Sequence, residues 1–392
     1  MESLRDALMR MRELAENARY PTITFDFSET VAAYPTLMTA MLARVKYYHL
    51  NQIDTPIVLP ISNTARASFR RYGWDVLFDP IIFKPARHRF DQFIPTFHYT
   101  DDDEQAHSVT CMIKAILLQV PNLHRSQVAA TEWALSEVTD NVLNHAKSPA
   151  GGLVTCHIQH QHKQIEFIVA DSGVGIARTL REVDHGLALE KAIQEGVTAN
   201  SQTNQGNGLY GTYRLAVHSK GLFSIRSQRG SLFVRPGGSV KVDSNSFSYP
   251  GTCVVSQIDI SDPDLISKAL MIKGKVHEPA FDYIEQHFES RDDGVAQIVL
   301  AQHVESLGSR ASGRKVATLL KNVLSMADAK KVEIDFADIA IVSSSFADEC
   351  FGRLIASVGP TEFFSRISFV NADSTVRAII DRSVIQRLRM VG

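Results

Sequence analysis

A carboxylate, an amide and an imidazole recur every four residues in the stretch SEVTDNVLNHA: Glu137, Asn141 and His145. On a helix this spacing sets them in one polar row. Leu135, Val138, Val142 and Ala146 form an apolar stripe on a neighbouring face, so the segment is expected to be amphipathic. The pairing suits phosphoryl chemistry. A carboxylate at Glu137 can take a proton from a nucleophile, and an amide oxygen one turn away is a hard ligand for Mg²⁺.

Three further stretches extend that chemistry. VADSGVGI puts Asp171, Gly173 and Gly175 directly after a strand, followed by Ile176. A carboxylate at a strand end can accept a hydrogen bond from the amino group of a base, and the glycines let backbone approach the ligand. GNGLYGTY holds Gly206, Asn207, Gly208, Leu209 and Gly211 at a helix start, where free N–H groups and the positive end of the helix dipole suit phosphate. GTCVVSQI opens a strand with Gly251 and Thr252. Alone, each motif reads as a turn or loop; together, in this order, they are specific.

The set resembles the GHKL ATPase superfamily, which includes gyrase, heat-shock chaperones, mismatch-repair ATPases, histidine kinases and anti-sigma serine kinases. Glu137, Asn141 and His145 are similar to its N box, Asp171 to Gly175 to its G1 box, Gly206 to Gly211 to its G2 box, and Gly251-Thr252 to its last motif. The resemblance spans roughly residues 105–260. It implies a Bergerat-type nucleotide fold holding ATP and Mg²⁺. Glu137 would be the general base, Asn141 the magnesium ligand and Asp171 the adenine contact, with Gly206 and Gly208 cradling phosphate. Gly173, Gly175, Ile176, Asn207, Leu209, Gly211 and Thr252 would complete the nucleotide's surroundings. His145 stays open between a place in the row and a capping or packing role at the helix end. Superfamily lids often carry a Lys or Arg just before the G2 glycines. Here the lid, about Ile176 to Gln205, has none in VTANSQTNQGNG, leaving Lys191, Arg178, a partner chain or backbone amides to meet the terminal phosphate.

Other elements must position these residues. Two helical patterns precede the N box's end, and GGLVTCHIQHQHKQIEFIVAD reads as a β-hairpin in which Val154, Cys156 and Ile158 alternate with polar residues, as do Ile165, Phe167 and Val169. That alternation splits His157, His160 and His162 between faces, which favours a solvated hairpin over a metal cluster. The strands LFSIRSQ, SLFVRP and TCVVSQIDI follow. The expected architecture is a multidomain α+β and α/β chain. A central Bergerat-type sandwich, a helical layer on a mixed, mostly antiparallel sheet, lies between two small STAS-like α/β domains. Expected boundaries are 1–96 (STAS-like), 97–262 (GHKL), 263–288 (linker with helix) and 289–392 (STAS-like).

The C-terminal segment alternates strand and helix and carries a D-F turn followed by an F-A-D-E helix start, Phe346 to Glu349. It resembles a STAS-like family of unknown function. STAS domains include anti-anti-sigma factors, substrates and partners of GHKL serine kinases, and the positions matching their phosphorylated serine are Ser344 and Ser345. The plainer role for Ser343 to Ser345 is to cap the helix, since serine is the favoured N-cap. The first segment has a similar I-x-F-D-F core, but its turn offers only Thr36, which points to docking or dimerisation.

Composition sets the limits. The 392 residues are 44% hydrophobic and 21% charged, with a formal net charge of -2, which gives no electrostatic argument for nucleic acid or an anionic membrane. No apolar run is of membrane-spanning length, the N-terminus reads as an amphipathic helix and not a signal peptide, and four scattered cysteines fit reduced thiols in a cytoplasm. The expected function is a cytoplasmic switch protein that binds and hydrolyses Mg-ATP to control contacts with STAS-like domains or another protein partner, with a homodimer expected. The alternative is an anti-sigma-type serine/threonine kinase acting on a STAS-like domain. A sensor histidine kinase is disfavoured, because HSVTCMIKAILLQ lacks a phosphoacceptor pattern.

Overall fold

A computed structural model describes residues 2–85, 93–197, 208–272, 275–276, 283–288, 295–304, 306–326 and 331–391. They fall into two compact units: Met1–His88, Ile94–Val109 and Trp133–Glu278 in one, Arg89–Phe93, Thr110–Glu132 and Pro279–Gly392 in the other.

The first unit is built on a seven-stranded sheet. Strands β1 (Phe25–Asp26) and β2 (Ile57–Val58) form a small parallel pair of their own. The large sheet contains β3 (Phe97–Tyr99), β4 (Gly152–Gln159), β5 (Gln164–Asp171), β6 (Phe223–Gln228), β7 (Gly230–Val234), β8 (Val240–Asp243) and β9 (Tyr249–Asp259), in the order β3-β4-β5-β9-β6-β7-β8. The hairpin expected from alternation is β4–β5, with Ile158 opposite Ile165 and Gly152 opposite Asp171. Every described pairing in this sheet is antiparallel, in keeping with the mostly antiparallel sheet expected.

Both faces of the sheet's centre are covered. In β5, Ile165, Phe167 and Val169 are buried, and so are Ile168 and Ala170, which alternation points the other way. Ile168 and Ala170 share one core with Leu153, Tyr249, Cys253 and Val255 and with Met38, Met41, Leu42, Val45, Phe69, Trp74 and Phe78 of the first segment. A chain of buried hydroxyls ties this layer together: Thr39 Oγ1 lies 2.7 Å from Thr155 Oγ1, Thr155 Oγ1 lies 2.8 Å from Thr96 Oγ1, and Trp74 Nε1 donates to Thr96 Oγ1 at 3.0 Å. Residues 1–96 were expected as a domain apart. The described part of the segment instead shares the central sheet's core, because the helix Pro35–Leu50 is apolar almost all round and buries an unbroken run from Met38 to Val45.

The second unit has a parallel three-stranded sheet, with β12 (Val295–Val299), β13 (Lys331–Asp335) and β14 (Ile367–Val370) in that order. Between the units' large sheets in sequence lies a two-stranded pair, β10 (Met271–Ile272) and β11 (Lys275–Val276). Helices Arg310–Met326 and Ser374–Val391 flank the parallel sheet's connections, as does the helix that starts at Ser344. This unit also takes in Thr110–Glu132, expected within the central domain. Asn322, fully buried, donates to the carbonyls of Leu117 (3.0 Å) and Val120 (2.9 Å) and accepts from Leu123 N (3.1 Å), while Glu132 Oε2 accepts from Tyr283 N at 2.9 Å.

Candidate functional site

The helix Arg125–Asn141 passes into a π turn over Val142–Ala146. The apolar stripe is as expected, with Leu135, Val138, Val142 and Ala146 all buried. Glu137 and Asn141 lie half-buried one α-turn apart. His145 lies within this π turn and is half-buried. Burial lowers the pKa of His145, against a raising influence from Asp140.

Glu137 is pushed up to about 7, chiefly by burial and secondly by the Asp140 carboxylate. Its neighbour Asn141 keeps a buried Nδ2 with no hydrogen-bond partner among the described residues. Against this pair stands Gly208, the first residue of the helix Gly208–His218. A Cβ there would lie 2.5 Å from Glu137 Oε2 and 3.4 Å from Asn141 Nδ2. One turn on, a Cβ at Gly211 would stand 2.1 Å from the Trp133 ring, so this glycine lets the two helices pack closely. Leu209 is half-buried at the same helix start. Gly206 and Asn207 lie outside the described residues.

The G1 stretch meets the other end of the same helix. Asp171, 3% exposed at the end of β5, accepts the N–H of Gly173 at 2.6 Å. Burial pushes its carboxyl up to about 7, while the backbone N–H groups of Gly173 and Thr252 pull it down. Val174 N donates to Ala146 O at 2.8 Å, and a Cβ at Gly173 would stand 2.0 Å from that same oxygen. Gly251, at φ +114°, lies so close that a Cβ would be 2.1 Å from Asp171 O. Asp171, Gly173 and Thr252 therefore converge, and Ala146 joins them to the helix bearing Glu137 and Asn141.

Three residues that the motifs did not single out hold this loop. Ser227 Oγ accepts from Ile176 N (2.8 Å) and donates to Gly251 O (3.0 Å), with Thr252 Oγ1 3.1 Å away. Gln228 Nε2 donates to Val174 O at 3.3 Å, and its side chain occupies the space beside Gly175, whose φ is +80°. The Tyr249 hydroxyl donates to Asp171 O at 3.1 Å. All three belong to β6 or β9, the strands beside β5 or one removed from it, and SQ and Y are common strand residues with no motif of their own.

In the described part of the lid, Arg178 is exposed and Lys191 pairs with Glu182. Asp184 caps the helix His185–Ala192, accepting from Leu187 N at 2.8 Å and from Ser244 Oγ at 2.7 Å. Residues 198–205 of the lid are not among those described. His157 contacts the Tyr72 hydroxyl through Nδ1 at 3.0 Å. In the second unit Ser343, not Ser344 or Ser345, is the helix cap, its Oγ accepting from Phe346 N at 3.0 Å; Ser344 is exposed and Ser345 half-buried.

A buried carboxylate at a strand end, a glycine pressed against a Glu–Asn pair, and an antiparallel sheet under helices are similar to what a GHKL-type domain carries. Comparison with known families agrees: residues 99–221 match the histidine kinase-like ATPase domain, and residues 312–377 match a STAS-like domain of unknown function. The first match contains the N, G1 and G2 boxes; Gly251-Thr252 lies beyond it. No curated protein matches the chain. ATP is the nucleotide that such a domain implies. The residues present fit it: Asp171 is a buried acceptor, Asn141 has a buried amide nitrogen with no hydrogen-bond partner among the described residues, and the glycines let the site's backbone come closer to its neighbours than any Cβ would allow. No helix among the described residues is long and apolar enough to cross a membrane.

Proposed function

We propose that the first unit binds Mg-ATP and hydrolyses it, and that this cycle controls contacts with a STAS-like domain, its own or a partner's. The observation that carries the reading is the meeting of Gly208 with Glu137 and Asn141, on the helix whose far end supports Asp171 through Ala146. Asp171 would accept the adenine amino group, and Gly208 would bring backbone N–H groups to the phosphates. Asn141 Oδ1 would hold magnesium, which when bound supplies charge neutralisation at the phosphate oxygens.

Glu137 would act as base. Ionised, it takes the proton of a water whose oxygen attacks the terminal phosphorus, while the bond to the leaving diphosphate oxygen breaks. A carboxyl at about 7 is poised for this, since it both accepts a proton near neutrality and exists ionised there.

A second reading has one observation in its favour. Ser344 is exposed at a helix start already capped by Ser343, so its hydroxyl is not used as the cap. Glu137 would then activate a serine hydroxyl in place of water. Incubation with γ-labelled ATP and Mg²⁺ separates the two: free phosphate without labelled protein supports hydrolysis, whereas label that disappears in Ser344→Ala/Ser345→Ala supports the kinase. Absence of both products in protein that binds ATP would overturn turnover altogether.

A further inference from the structure

The F-A-D-E stretch of the STAS-like unit ends in two carboxylates, Asp348 and Glu349, which open a π turn, Asp348–Gly352, inside an otherwise α-helical run. Such turns are frequent at functional sites. Glu349 has a side chain 1% exposed, yet among the described residues neither carboxylate oxygen receives a hydrogen bond. Three guanidinium groups surround it: Arg353 Nε at 3.3 Å, Arg310 Nη1 at 3.6 Å and Arg314 Nη1 at 3.6 Å. These arginines are 55%, 56% and 63% exposed.

The arrangement is unlike an ordinary buried ion pair, which survives desolvation by excellent hydrogen-bond geometry. Here the carboxylate gathers three arginines by charge alone. Their N–H forks are not spent on Glu349, and among the described residues the three guanidinium groups make no hydrogen bond, Arg310 Nη1 only standing 3.9 Å from Asp348 Oδ2. The neighbouring Asp348 is satisfied separately, by a two-pronged contact with Arg387 at 2.6 and 2.7 Å. Gly352 permits it: a Cβ there would stand 2.9 Å from Arg387 Cγ and 3.0 Å from Asp348 Oδ1. Gly313 likewise lets the helix bearing Arg310 and Arg314 approach, since a Cβ would lie 3.1 Å from Glu349 Cβ. Four guanidiniums against two carboxylates leave the cluster two positive charges in excess.

We propose that Arg310, Arg314 and Arg353 form a binding site for a phosphoryl-class dianion, with Glu349 as the positioning residue that holds them together. The convergence of three guanidiniums on one carboxylate favours a compact dianion over an acidic peptide, whose separated carboxylates would call for separated arginines. Tetrahedral phosphate oxygens match guanidinium forks, and the two charges balance the cluster. The group is either a free phosphate or a phosphorylated side chain of a protein.

The test uses the full chain, a fluorescein-labelled phosphoserine peptide followed by anisotropy, its unphosphorylated twin, and inorganic phosphate followed by calorimetry. Phosphate is expected to bind and to displace any bound phosphopeptide, with the unphosphorylated twin about tenfold weaker or worse. Phosphate binding without phosphopeptide binding identifies a small-molecule source; binding of both identifies a protein source. Arg314→Gln and Arg353→Gln should each weaken binding about fivefold or more, and Asp171→Asn should leave it unchanged, which keeps this result separate from the fate of the nucleotide reading.

Glu349→Gln discriminates most sharply. It raises the cluster's net charge, so a diffuse cationic surface would bind more tightly, whereas an organised site loses affinity as its arginines part. Tighter binding in Glu349→Gln would overturn the proposal. So would a phosphopeptide that inorganic phosphate fails to displace, or wild-type protein that binds neither probe. Should Glu349→Gln fail to fold, as a thermal melt would reveal, the two exposed arginine variants decide: unchanged affinity in both overturns the site.

Discussion

Gly208 stands against Glu137 with no room for a side chain: a Cβ would lie 2.5 Å from Oε2. The glycine at the start of one helix and the carboxylate on another thus share a single wall of the site. Gly208→Ala should displace Glu137, lowering turnover by about tenfold or more while the fold survives, because a shift of this size near the reacting atoms is costly. Steady-state phosphate release and a thermal melt check both halves.

Asp171 is the buried acceptor of the other end. Asp171→Asn replaces a charged acceptor by an amide that also presents donors, and nucleotide affinity should fall about a hundredfold. Its folded-state carboxyl lies at about 7, above the ordinary 3.8, so the native protein holds a proton that the unfolded chain releases. The stability this contributes is full below about pH 4, and is lost as pH rises through about 7. Relative to Asp171→Asn, the nucleotide-free wild type should therefore lose on the order of 2–4 kcal/mol between pH 4 and pH 8. Denaturant melts of both proteins at the two pH values provide the comparison, and a constant difference would contradict the raised value.

Glu137 must be ionised to accept a proton, and its pKa lies at about 7. The value of kcat/KM for ATP, which reports the nucleotide-free protein, should climb with pH through that value and level off above it, as the base form fills. Glu137→Gln should lower turnover about 10²- to 10⁴-fold and keep nucleotide binding. A rate profile flat from pH 6 to pH 8 would remove Glu137 from the role of base.

The motifs exposed half of this site. Glu137 with Asn141, and Asp171 with Gly173, sit close in sequence because one helical turn or one strand end positions each pair, so spacing alone makes them candidates. Ser227, Gln228 and Tyr249 support Asp171 and the loop after it from more than 50 residues away, and that partnership exists only once the strands pair. The same holds for the sheet's second covering. YPTLMTAMLARVKYYHL reads as a helix, but nothing in its period names the surface that buries it, which is the face bearing Ile168 and Ala170. The π turn that carries His145 was equally hidden, since an α-helix and a π turn share the same local composition.

Asn322 holds the second unit's Leu117–Leu123 turn by three hydrogen bonds from a fully buried amide. Asn322→Ala would orphan two carbonyls and an N–H, costing about 2–4 kcal/mol. Thermal unfolding should register this as a lowered midpoint, and Asn322→Asp should not restore it, since a carboxylate cannot donate to the two carbonyls.

The most direct test of the whole account is isothermal titration of the purified chain with ATP and Mg²⁺. The account predicts saturable heat at one nucleotide per chain, abolished in Asp171→Asn and retained in Glu137→Gln. Folded wild-type protein that gave no binding heat at any temperature tried, and no shift in melting midpoint on adding the nucleotide, would contradict it.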